Sequence, residues 1–107
     1  MLPSLKDISI ELENKTSFKQ LCSIFKSSLL AERMRSLCIK NVTSLDDEIL
    51  MSYYSDNVIE KQCHQFHLRS LALCGLPNQM TNSILSMLPD KKLRYLEVVL
   101  WYVAFSL

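Results

Sequence analysis

The sequence predicts an α/β solenoid of about four strand–helix repeats, with parallel strands on a concave face and helices on a convex one. Three observations lead there. The spacing apolar-x-x-apolar-x-apolar occurs four times, and the segments between copies carry helical periodicity. Within each copy, polar residues alternate with the apolar ones, so one face of each strand stays polar.

The copies are Leu5-Lys6-Asp7-Ile8-Ser9-Ile10, Met34-Arg35-Ser36-Leu37-Cys38-Ile39, Leu68-Arg69-Ser70-Leu71-Ala72-Leu73 and Leu93-Arg94-Tyr95-Leu96-Glu97-Val98. They begin at residues 5, 34, 68 and 93, and each interval holds a strand, a helix and their turns. Self-similarity on this scale marks units that stack on copies of themselves. Alternation inside a copy suits a short strand with one buried face.

The intervening segments read as helices. Thr16 or Ser17 is placed to cap a helix whose stripe is Phe18, Leu21, Cys22, Phe25 and Leu29, because a hydroxyl before the first turn satisfies an orphan N–H. Ser44 and Asp47 make an approximate capping box, with Leu45, Ile49 and Tyr53 following at helical spacing. Pro77-Asn78 breaks the third strand, Met80, Ile84, Met87 and Leu88 form a short apolar face, and Pro89-Asp90 ends it. The order is therefore βαβαβαβ. Parallel strands joined through helices need right-handed crossovers, and a run of like units curves into a solenoid. A doubly wound sheet would need strands apolar on both faces, unlike the first three copies. Helices without the strands would make a small all-α adaptor.

The aligned residues resemble the leucine-rich-repeat superfamily over essentially the whole chain, with helical connectors similar to the ribonuclease-inhibitor and F-box-associated types. The stretch LRSLALCGLPNQMTNSILSMLPDKKLRYLEVVLW is similar to F-box/LRR substrate receptors. The resemblance implies one repeat domain over 1–107, a non-enzymatic scaffold that binds another protein on its concave face. Its narrower form is the substrate-recognition arc of a cullin-RING ubiquitin-ligase receptor, with a cullin adaptor or its client as partner. The chain departs from the family where Asn or Cys usually follows the strand: Glu13, Val42, Leu76 and Trp101 stand there. No F-box module is visible either.

The totals bound the function classes. A chain of 107 residues is one domain, or a piece of one, and with 49% apolar and 21% charged residues it can bury a real core. A net charge of +1 gives no broad footprint for nucleic acid. MLPSLKDISIELENK lacks the pattern of a signal peptide, and the apolar run Val98 to Phe105 is too short to span a bilayer. Cys22, Cys38, Cys63 and Cys74 show no paired spacing, so reduced, buried thiols in the cytoplasm or nucleus are expected. Asn14 and Asn41 head formal glycosylation triplets. Leu2-Pro3-Ser4 and the apolar tail VLWYVAFSL give little capping, so the arc is expected to be incomplete at one or both ends. On that view the chain is a truncated structural segment of a larger repeat protein.

Candidate binding residues flank the buried positions of the strands. They are Asp7, Ser9 and Glu11; Ser36, Cys38, Lys40 and Asn41; Ser70, Ala72 and Cys74; and Tyr95, Glu97 and Val99. Tyr95 is the expected aromatic anchor for a partner protein. Lys6, Arg35, Arg69 and Arg94 follow the first apolar position of each copy. They would stack along one rim, able to grip an acidic segment or to pair with neighbours such as Asp7 and Glu97. Cys63, His64 and His67 alone hint at metal, but a structural zinc site needs a second ligand pair. No base and orienting group accompany any cysteine, and the lone Gly75 excludes a glycine-rich phosphate loop. No catalysis, metal or cofactor is expected.

Overall fold

The computed structural model describes residues 6–58, 62–88 and 95–99, the last of these as backbone. The elements in chain order are β1 (Asp7–Leu12), α1 (Lys15–Lys26), α2 (Ser28–Arg33), β2 (Ser36–Asn41), α3 (Asp47–Asn57), β3 (Ser70–Cys74), α4 (Asn78–Ser86) and β4 (Tyr95–Val99). The strands form one parallel sheet in the order β1-β2-β3-β4. Ile8, Leu37, Leu71 and Leu96 lie side by side across it, as do Ile10, Ile39, Leu73 and Val98. The repeated apolar spacing thus comes into lateral register. Leu5 and Leu93, which open the first and last copies, lie outside the described residues, as do Pro89-Asp90, Leu2-Pro3-Ser4 and the tail from Leu100 onward.

Each strand buries one set of alternate side chains. Leu12, Leu37, Ile39, Leu71 and Leu73 join one core with Phe18, Leu21 and Phe25 of α1, Leu50 and Tyr54 of α3, and Met80 and Ile84 of α4. Burying a side chain of this kind contributes roughly 1.5–3 kcal/mol. Edge-to-face contact of Phe18 with Tyr53, at 5.7 Å between ring centres, couples α1 to α3.

The solenoid expected from the repeat pattern does not form. The chain makes a small compact α/β fold with one open sheet, 37 × 31 × 28 Å, with a radius of gyration of 13.4 Å. About 13 Å is what a compact domain of this size has. Its connectors explain the difference: a twelve-residue and a six-residue helix follow β1, an eleven-residue helix and a described stretch, 62–69, without α-helix follow β2, and a nine-residue helix follows β3. Solenoid curvature arises from one rotation repeated between like units. Unlike units close over a single core instead. With the sheet present, the all-α alternative is set aside as well.

The helix boundaries differ in instructive ways. Asn14 caps α1, earlier than expected: its Oδ1 accepts from Ser17 N at 3.1 Å while Ser17 Oγ accepts from Asn14 N at 3.2 Å. Ser27 interrupts the helix and caps α2, its Oγ accepting from Leu30 N at 3.2 Å. That break turns Leu29 out of the stripe, leaving it 47% exposed. Asp46, rather than Ser44, caps α3 by accepting from Ile49 N at 3.0 Å. The buried face of α3 is accordingly Leu50 and Tyr54, one residue beyond the expected Ile49 and Tyr53.

After β3 the chain turns at Gly75, whose φ of 71° lies in the left-handed region. A Cβ there clashes with the backbone and costs about 1–2 kcal/mol. Gly75→Ala is expected to lower unfolding free energy by about that much in urea titration, with the far-ultraviolet spectrum unchanged.

Candidate functional site

Among the described residues, the sheet face opposite the helices is the open one. Its side chains form rows across the strands: Asp7, Ser36 and Ser70; Ser9, Cys38 and Ala72; Glu11, Lys40 and Cys74. Asp7, Ser9, Glu11 and Lys40 are exposed, and the others are half-buried among their neighbours. The middle of the face is small and uncharged, with its described charges toward β1. Ser36 Oγ donates to Asp7 Oδ1 at 2.8 Å, and Glu11 has Lys40 as its lateral neighbour. In β4, Tyr95 stands opposite Ser70 and Glu97 opposite Ala72 in the backbone register.

The cationic residues sit at the N-terminal end of this sheet, each one residue before its strand. Arg35 N donates to Lys6 O at 2.7 Å, and Arg69 N donates to Arg35 O at 2.8 Å. The three are therefore joined backbone to backbone, one strand apart, which is about 4.8 Å. All three are exposed. Arg94, the fourth expected member of this ladder, lies outside the described residues.

Asn41 leaves the set of candidate binding residues. Only 5% of it is exposed, because it falls on the buried side at the end of β2. Its Nδ2 donates to Gly75 O at 3.0 Å, and its Oδ1 accepts from Thr43 N at 2.9 Å and Thr43 Oγ1 at 2.6 Å. The side chain ties the end of β2 to the turn after β3. A buried carbonyl needs such a donor, and Gly75 O finds it in a side chain 34 residues earlier in the chain.

The segment carrying Cys63, His64 and His67 is a stitched connector. His64 N donates to Phe25 O at 3.0 Å, Phe66 N donates to Met87 O at 3.2 Å, and Phe66 packs against Phe25. His64 and His67 are exposed and Cys63 is half-buried. Among the described residues, no three His, Cys, Asp or Glu side chains gather as a metal site. The four cysteines are half-buried rather than buried, and Cys22, Cys38 and Cys74 are free thiols. No described helix is long and apolar enough to cross a membrane.

Two features had no sequence signal. One is a hollow of about 420 Å³ between the first turns of α3 and α4, lined by Asp47, Glu48, Met51, Pro77, Asn78 and Gln79. The other is a hollow of about 430 Å³ beside β1, lined from both β1 and α1. Each needs the helices to be placed before it can be seen. Comparison of the chain with protein-family models, with curated proteins and with solved structures finds no match.

The contrast between Asn41 and Ser36 can be measured. Asn41→Ala strands the buried Gly75 carbonyl and is expected to cost about 1–3 kcal/mol in denaturant unfolding. Ser36→Ala removes a solvent-facing bond and should stay within about 0.5 kcal/mol of the parent. Equal losses for the two would refute the assignment of Asn41 as the internal tie.

Proposed function

We propose that this chain is a non-enzymatic protein-binding module that holds an acidic segment of a partner protein along its basic rim and open sheet face. The observation that carries this reading is the column Lys6, Arg35 and Arg69, linked strand to strand and exposed. Their backbones are one strand apart, about 4.8 Å, so the three cations are offered in one row. Anionic groups placed along the column gain charge-assisted hydrogen bonds, bidentate ones at arginine.

The spacing favours a helical ligand. Carboxylates at i, i+3 and i+7 of a helix rise on average about 5 Å apart, close to the separation of adjacent strands. Ser36, Cys38, Ser70 and Ala72 leave room on the open face for the body of such a segment. Half-buried free thiols at Cys22, Cys38 and Cys74 suit a reducing compartment, cytoplasm or nucleus. A cullin adaptor as the partner has the repeat resemblance as its sole support.

Fluorescence anisotropy with a labelled helical peptide bearing glutamates along one face tests this reading. The native chain should bind it with an affinity that falls as salt rises. The variant Lys6→Glu/Arg35→Glu/Arg69→Glu should bind about tenfold or more weakly, while keeping the native circular dichroism spectrum. Equal binding of a glutamine-substituted peptide by the native chain would rule the rim out as an acidic-segment site.

A further inference from the structure

A second interaction surface follows from the hydrogen-bond phase of β1. Among the described residues, β1 pairs on one side only, with β2. Lys6 O accepts from Ser36 N and Leu12 O accepts from Val42 N. In a parallel strand, alternate residues turn both backbone groups to the same side. With Lys6 and Leu12 turned toward β2, Ile8 and Ile10 turn that way too. Asp7, Ser9 and Glu11 therefore point their N–H and C=O groups away from the sheet, in the arrangement that accepts a further strand.

The space beside that edge is open. The hollow of about 430 Å³ takes its walls from Ser9, Ile10 and Glu11 of β1 and from Asn14, Thr16 and Gln20 at the start of α1. Residues of the open sheet face and of the covering helix can line one hollow around the outer edge of β1. Ile8, on the side facing the helices, is half-buried at this edge.

Charge selects the occupant. Asp7 and Glu11 are exposed on the open face of β1, and Glu13 follows at its end. A second copy paired antiparallel through the same edge, with matching faces, would gather the carboxylates of both copies on one ribbon. Like charges across strands are destabilising. A lysine across from a carboxylate already exists on the inner side, where Lys40 is the neighbour of Glu11. We propose that the free edge of β1 binds an extended segment of a partner protein in which apolar residues alternate with lysine or arginine. Its backbone extends the sheet, its apolar side continues the row of Ile8 and Ile10, and its basic side meets Asp7 and Glu11.

The test uses the full chain and a labelled peptide alternating valine with lysine, beside its valine–glutamate counterpart. With the basic rim neutralised by Lys6→Gln/Arg35→Gln/Arg69→Gln, so that it cannot hold the glutamate peptide, the chain should bind the lysine peptide at least tenfold tighter than the glutamate peptide. Ser9→Pro removes an outward N–H and leaves the β1–β2 bonds in place, since proline is tolerated where the N–H of an edge strand faces outward. It should lower affinity at least tenfold, and Asp7→Lys/Glu11→Lys should reverse the peptide preference. Methylating alternate backbone nitrogens of the peptide should also abolish binding, a readout that needs no protein variant. Undiminished binding of the lysine peptide by Ser9→Pro, or equal binding of both peptides by the Lys6→Gln/Arg35→Gln/Arg69→Gln chain, overturns the proposal. A native dimer in sedimentation that Ser9→Pro converts to monomer also overturns it, because the edge would then belong to a second copy.

Discussion

The lateral contact of Ile10, Ile39 and Leu73 is the one on which the remaining structure depends. These residues are neighbours in the sheet register and lie on its buried side. Their stacking fixes which side of each strand faces inward, and every other placement follows. The helices must cover that side, so the amphipathic faces of α1, α3 and α4 converge on it. The other side keeps Ser9, Cys38 and Ala72, residues small enough that nothing need cover them. A single choice of phase thus makes a core and a bare surface together.

Much of this was legible in the sequence, and the limits are physical. The strands could be read because alternation is local: a residue and its second neighbour share a face in any strand. The column of Lys6, Arg35 and Arg69 was legible for the same reason, since its members occupy one position in the repeat. The inward face of α3 was missed by one residue because Asp46 and Ser44 are both competent caps, and the later one sets the phase. Leu29 was misplaced because Ser27 offers an internal cap that restarts the helix. The architecture was not legible at all. Strand–helix spacing names neighbours, and whether they curve into an arc or close on one core depends on how unequal connectors pack. Asn41 belongs to the same class, since its burial depends on a glycine carbonyl far along the chain.

The two proposed surfaces use charges of opposite sign. Cations collect before the strands, at Lys6, Arg35 and Arg69, while Glu11 and Glu13 lie at the other end of β1, with Asp46, Asp47 and Glu48 at the start of α3. Among the described residues the charges named here are divided between the two ends of the strands, with Asp7 and Lys40 placed the other way. Such a separation orients an approaching charged partner before contact is made, and salt weakens the effect. Net charge alone hides it.

The bond from Asn41 to Gly75 has a consequence for pairing. Alternation penalises a slip of one residue between neighbouring strands, because it would turn the buried side outward. A slip of two residues restores the same faces, and strands as alike as β2 and β3 present nearly the same apolar row after it. Asn41 breaks that degeneracy. It occurs at the end of β2, and β3 has Cys74 near its own end, followed by the turn at Gly75. A two-residue slip would carry the Asn41 amide away from the Gly75 carbonyl and leave both without their partner. The amide acts as the registration mark of a sheet whose strands would otherwise be interchangeable.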